Sequence, residues 1–247
     1  MKFSITADCQ IGNVRKNNED MILVIDKFVR NGKHWLMTDV SDHDRFVIAV
    51  ADGMGGHNSG EVASSDTLSN LHFFFNDLPS GLPPGEVYES VYEWLQSINN
   101  IIESKGLSDP KYKDMGTTLV ALLYYGNEFY WLNCGDSRMY VLSDNDLRQL
   151  TTDHSLNQLM GSDRHSNIIT NCIGGGCKTS YIDIVKCTDD IRPGNILLLC
   201  SDGLTDMVPN QQLTDLMLHG SNATQLCEAA VREGGLDNVS ACVIKVF

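Results

Sequence analysis

The 247-residue chain is short of basic residues. Lysine and arginine number 18 against 32 aspartates and glutamates, a net charge of −14. That balance argues against a binder of nucleic-acid backbone, whose affinity rests on basic side chains displacing counterions. No run of 18 apolar residues occurs, so no transmembrane helix is predicted. Met1 to Asp8 lacks the apolar core of a signal peptide. The eight cysteines include no Cys-x-x-Cys pair. Cys134, Cys200 and Cys242 lie inside apolar, strand-like runs and read as small core residues of a reducing compartment. Cys172 and Cys177 flank a glycine run, where zinc is the minor reading. There is no Gly-x-Ser-x-Gly elbow, no Walker loop and no convincing protein nucleophile. Hydrophobic residues make up 42% of the chain, enough to bury a full core as one large domain or two small ones.

The stretch from Phe46 to His57 organises what is present. Phe46 to Ala51 is continuously apolar and predicts a strand buried on both faces. It ends on Asp52, after which Gly53, Gly55 and Gly56 allow a tight turn and close backbone approach. A carboxylate at the mouth of a rigid strand is well placed to grip a hard cation, and His57 closes the turn as a candidate proton carrier. Taken alone, the segment reads more readily as an ordinary hairpin turn opened by an aspartate.

The pattern recurs along the chain. Asp20 precedes the apolar strand Met21 to Ile25. Asp136 sits in Gly135-Asp-Ser-Arg138 between two strands. Asp202 follows the apolar run from Asn195 to Cys200, and Asp237 precedes the terminal strand Val239 to Val246. Five aspartates thus stand at strand ends, although aspartate is depleted in strands. Arg15 lies on a polar loop, where its guanidinium fork suits phosphate oxygens or simply solvent.

Two helices are predicted from apolar stripes, one through Thr67, Leu68, Leu71, Phe74 and Phe75, the other through Val87, Val91, Trp94, Leu95, Ile98 and Ile102 with Gly106 as its stop. Residues 30–45 read as a polar connection, with Asn31-Gly32 as a hairpin signal. Gly116 to Tyr125 reads as one strand, and one or two helices are expected within Gln211 to Glu233.

Clustered carboxylates repel unless cations neutralise them, and oxygen donors select magnesium or manganese. A pair of such ions roughly 3.5–4 Å apart supports in-line displacement at phosphorus by a bridging water. An arginine then holds the phosphoryl oxygens and a histidine protonates the departing alkoxide.

At this point seven motifs stand in order: Arg15 to Asp20, Val50-Ala-Asp-Gly-Met-Gly-Gly-His57, Met115-Gly-Thr-Thr118, Gly135-Asp-Ser-Arg138, Thr152-Asp-His-Ser155, Ser201-Asp-Gly-Leu-Thr-Asp206 and Asp237-Asn-Val239. Together they resemble the metal-dependent serine/threonine protein phosphatases of type 2C in their compact bacterial form. The resemblance implies an α+β fold, a β-sandwich of two antiparallel sheets flanked by pairs of antiparallel helices, as one domain over residues 1–247. It implies hydrolysis of phosphoserine and phosphothreonine by in-line attack of a metal-bridging water at a binuclear Mn²⁺ or Mg²⁺ centre. Asp52 is then the bridging ligand, Gly53 lends its carbonyl, Asp202 and Asp237 complete one shell and Asp20 serves the other. Asp136, with Asp202, serves a weaker third ion. Arg15 takes the substrate phosphate and His57 is the general acid, while Asp153, His154 and Asn238 brace loops.

The implied partners are phosphoproteins made by a cognate serine/threonine kinase, with no nucleic acid or membrane. The implied state is a cytoplasmic monomer. The flap at about 156–176 is shorter than the family's usual one, which bears on substrate choice and the third ion. Two alternatives stand beside this reading: a metal phosphoesterase acting on small molecules, and an inactive binding version of the fold.

Overall fold

The computed structural model describes residues 1–55, 59–160 and 168–247. In chain order the strands are β1 (Lys2–Gln10), β2 (Met21–Val24), β3 (Lys27–Val29), β4 (Gly32–Asp39), β5 (Arg45–Ala51), β6 (Gly53–Met54), β7 (Gly116–Thr117), β8 (Leu119–Tyr125), β9 (Glu128–Cys134), β10 (Arg138–Ser143), β11 (Asp146–Gln149), β12 (Ile173–Gly174), β13 (Asp183–Lys186), β14 (Ile196–Cys200) and β15 (Val239–Val246). The helices are α1 (Ser59–Asp77), α2 (Pro84–Ser108), α3 (Leu156–Met160), α4 (Asp202–Thr205), α5 (Asn210–Leu218) and α6 (Ala223–Arg232). No helix among the described residues is long and apolar enough to cross a membrane.

Two six-stranded antiparallel sheets form the frame, ordered β11-β10-β14-β15-β1-β4 and β13-β9-β8-β5-β2-β3. Strand alternation explains how each is buried on both faces. In β5, Phe46, Ile48 and Val50 point to the other sheet, where they meet Phe3, Ile5, Leu197 and Ile244. Val47, Ala49 and Ala51 point outward to Leu68, Leu71 and Phe75 of α1 and to Val91, Leu95 and Ile98 of α2. The first sheet repeats this, packing Leu198, Ala241 and Val243 on Leu213, Met217, Leu226 and Ala230 of α5 and α6. A continuous apolar run is therefore required in the central strands, and the helices need only one apolar stripe.

Four local expectations change. Residues 32–39 form the edge strand β4, paired with β1 from Lys2↔Asp39 to Cys9↔Gly32. Its alternation is real, with Leu36 packed on the core and Trp35 and Met37 exposed, but its polar neighbours hide the period. Asn31 does adopt the left-handed conformation (φ 52°) of an Asn-Gly turn. The strands it joins, however, belong to different sheets and form no hairpin. Helix α2 passes through Gly106 to Ser108, and Lys105 O accepts from Asp109 N beyond it. The strand expected over 116–125 breaks at Thr118 into β7 and β8, because β7 leaves the large sheet to join β6 and β12 in a three-stranded one. Of the flap at 156–176, residues 161–167 lie outside the described residues.

Ile48, fully buried between the sheets, reports on this packing. Ile48→Ala is expected to lower unfolding free energy by about 2–5 kcal/mol, read as a shifted urea midpoint at unchanged slope.

Candidate metal centre

Antiparallel pairing brings distant aspartates to one end of the sandwich. In one sheet Met21 faces Ala51, so Asp20 before β2 and Asp52 after β5 leave the ladder side by side. In the other, Cys200 faces Ala241 on β15 and Arg138 on β10. The same end therefore carries Asp202 beyond β14, Asp237 ahead of β15 and Asp136 ahead of β10. Ser201 Oγ donates to Asp20 Oδ2 at 2.8 Å and ties the two groups together. The carboxyls of Asp52 and Asp202 lie close enough for each to raise or lower the other's proton affinity. Arg15 Nη2 donates to Asp237 Oδ2 at 2.6 Å.

Close backbone approach makes this convergence possible. A Cβ on Gly203 would fall 1.9 Å from the Asn238 carbonyl oxygen, so only glycine lets the 202 and 237 loops meet. At Gly53 a Cβ would strike the carbonyls of Gly60 (2.2 Å) and Glu19 (2.6 Å). Gly53 is buried there and its N–H donates to Glu19 O at 3.2 Å.

The Gly-Thr-Thr motif holds Asp52 by its backbone. Thr117 Oγ1 and Thr118 N both donate to Asp52 O at 2.9 Å, and Asp52 N donates to Thr118 Oγ1 at 3.1 Å. Thr118 Oγ1 also lies 2.7 Å from Ser137 Oγ, beside Asp136. Asn238 Oδ1 accepts from Glu19 N, while its Nδ2 donates to Ile11 O and Asn17 O, locking the 237 loop to the Asp20 loop. His154 Nδ1 accepts from Gly135 N at 3.1 Å, so Nε2 carries the proton and donates to Asp183 at 3.0 Å. Asp153 takes a forked contact from Arg138, with Nη2 to Oδ2 at 2.6 Å. These three residues brace loops.

The local sequence gives Arg30 no role beyond its place in the polar connection at 30–45. Its Nε donates to Asp20 O at 2.9 Å, and its Nη2 to Ser64 Oγ and Glu61 O. It thereby fastens the Asp20 loop to the first turns of α1. Nothing in its local pattern marked it, because its partners lie 10 and 34 residues away. His57 lies outside the described residues.

The electrostatics are those of a strained anionic cluster. Burial pushes Asp20 up to about 7, with Asp202 and Asp237 adding to the push. Burial, then Asp202 and Asp153, takes Asp136 to about 7. Burial, then Asp206, takes Asp202 to about 6. Asp52 is raised well above the carboxylate range, first by burial and then by Asp20, Asp202, Asp136 and Asp237. Relative to an aspartate in water, burial makes ionisation of Asp20 harder by on the order of a few kcal/mol.

Two carboxylate oxygens, Asp20 Oδ1 and Asp202 Oδ1, are buried without a hydrogen-bond partner. Such orphaned acceptors, all hard oxygens, suit Mg²⁺ or Mn²⁺. Among the described residues no three His, Cys, Asp or Glu side chains already stand at the spacing of a finished cage. Asp237 meets the guanidinium of Arg15, a cationic side chain in contact with the cluster.

A family model described as "Protein phosphatase 2C" matches residues 34–234. Protein phosphatase PhpP of Streptococcus pneumoniae is 31% identical over 261 residues, covering 100% of this chain and 98% of the relative. Serine/threonine protein phosphatase PstP of Mycobacterium tuberculosis is 32% identical over 210 residues, or 81% of this chain; that match takes in only 40% of PstP's own length. A crystal structure of the catalytic domain of PstP in complex with two manganese ions superposes with a TM-score of 0.76 at 30% identity, covering 99% of this chain and 100% of that one. The matched fold, the ordered motifs and the converging aspartates lead to one conclusion: the chain belongs to the protein phosphatase 2C family.

Proposed function

We propose that the protein is a metal-dependent serine/threonine phosphatase that hydrolyses phosphoserine and phosphothreonine in phosphoproteins made by a cognate kinase, acting in the cytoplasm as a single domain. The observation that carries this is the convergence of Asp20, Asp52, Asp202 and Asp237 beside the half-exposed Arg15, with buried carboxylate oxygens left unpartnered. The names of PhpP and PstP support the substrate class.

Asp52 and Gly53, with Asp20 on one side and Asp202 and Asp237 on the other, would hold two Mn²⁺ or Mg²⁺ ions, with Asp136 and Asp202 holding a weaker third. Those ions supply the positive charge that polarises a water and neutralises the phosphoryl group. The chain's own residues do the rest. Arg15, 52% exposed and aimed at the cluster, releases Asp237 to grip substrate phosphate through its fork. Thr117, Thr118 and Asn238 hold the carboxylate loops in place, so no reorganisation is needed as charge develops. His57 is the proposed acid for the departing alkoxide. All five aspartates are present, which favours an active enzyme over an inactive binding version.

Three outcomes test this reading. Raised carboxylic acids bind protons in the folded chain that the unfolded chain has already lost. The metal-free protein should therefore be most stable below about pH 4 with respect to these groups, losing that stability as pH rises toward about 7. At neutral pH, Mn²⁺ at about 100 times its Kd should restore about 2.7 kcal/mol, reversed by chelator and read by calorimetry.

Asp52→Asn is expected to cut Mn²⁺-dependent phosphate release from a phosphothreonine peptide by about 10²–10³-fold or more. The same change should raise the metal-free melting temperature, since it removes a repelling acid. Faster release from nucleotide monophosphates than from the peptide would instead favour the small-molecule reading. Arg15→Ala should raise KM for the phosphopeptide by about tenfold or more with little change in kcat.

A further inference from the structure

One surface lies outside the carboxylate cluster and its bracing loops. Among the described residues, strand β13 is the edge of its sheet, paired with β9 on one side only. Beside it runs α2, and between the two lies a groove of about 440 Å³ lined by Tyr88, Glu89, Tyr92, Glu93, Ile182 and Ile184. Its floor is apolar, because Ile182, Ile184 and Tyr88 pack partly against the core under α2. Tyr88 is fixed edge-on to Tyr130, with ring centroids 5.9 Å apart. Tyr92 is 53% exposed and forms a free aromatic wall.

Two features give the groove a definite occupant. Edge strands are usually guarded by a lysine, a proline or a bulge. The single lysine of β13, Lys186, is committed to Glu128 at 2.7 Å, and Val185 stays 42% exposed. Glu89 and Glu93 stand one helical turn apart on the rim, and neither meets a cation among the described residues. Like charges at that spacing weaken a helix, so the pair is a surplus of negative charge waiting beside an apolar slot.

We propose that the groove between α2 and β13 docks an extended basic–apolar peptide segment of a partner protein. The segment adds to β13 as a further strand, seats an apolar side chain over Ile182 and Ile184 against Tyr88 and Tyr92, and presents lysine or arginine to Glu89 and Glu93. Main-chain hydrogen bonds to the edge supply affinity, and the slot and rim supply selectivity. The site is independent of the carboxylate cluster and of the activity proposed for it.

The test is fluorescence anisotropy with a labelled peptide alternating lysine with valine and phenylalanine. Saturable binding to the wild-type protein is expected. Glu89→Lys with Glu93→Lys should weaken it by about tenfold or more, and Tyr92→Ala should weaken it as well. A charge-matched control, Asp42→Lys with Asp44→Lys in the turn between β4 and β5, should stay within about twofold of wild type. A peptide N-methylated at alternate residues, unable to join a ladder, should not bind. All positions changed are exposed, and circular dichroism melts verify folding. Absence of saturable binding overturns the proposal. So does equal loss in the charge-matched control, retained affinity in the Glu89/Glu93 variant, or undiminished binding of the N-methylated peptide.

Discussion

Mutual repulsion among buried and half-buried carboxylates is the constraint around which this molecule is built. Left to relax, Asp20, Asp52, Asp136, Asp202 and Asp237 would move apart into solvent. The two sheets do not let them. Each aspartate adjoins a strand that is itself paired on both sides, and the backbone of Asp52 alone shares three hydrogen bonds with Thr117 and Thr118. Burial first, and the excess of negative potential second, raise the proton affinity of four of the five acids. A site that resists losing protons at neutral pH is also one that gains most from a divalent cation.

The layers around the cluster follow from that demand. Holding loops against repulsion needs a stiff frame, and a sandwich buried on both faces of both sheets provides it. The helices contribute less to the site than to the frame, with one exception. The first turns of α1 reach back through Ser64, whose Oγ donates to Glu19 O, and through Arg30 to the carbonyl of Asp20. The small sheet of β6, β7 and β12 adds a second brace, tying Gly53 to Thr117 and Thr117 to Ile173. Glycine appears where loops must touch, as Gly203 does against Asn238, because any side chain there would hold the 202 and 237 loops apart.

Much of the fold was legible because its signals are local. The apolar run at Phe46 to Ala51 and the stripes of α1 and α2 each record a burial pattern within a dozen residues. The aspartates were legible as a recurring position at strand ends. What failed locally did so for tertiary reasons. Residues 32–39 look polar because an edge strand with one solvated face carries lysine and histidine among its apolar residues. Gly106 is no stop because α2 is held by packing along its length, not by its propensity at one position. Arg30 was invisible because a bracing arginine is defined by the carbonyls it meets.

The amino-acid sequence by itself determined the inventory: strands apolar on both faces, helices apolar on one, five strand-end aspartates of hard-cation chemistry and an arginine suited to phosphate. These depend only on residue type and spacing, which chain order preserves. Tertiary structure alone decided that antiparallel registers such as Met21↔Ala51 and Cys200↔Ala241 bring those aspartates to the same end of the sandwich, that Ser201 bridges the sheets to Asp20, and that Arg15 rests on Asp237. Repulsion between two carboxylates is a function of distance in space, and no spacing along the chain encodes that distance.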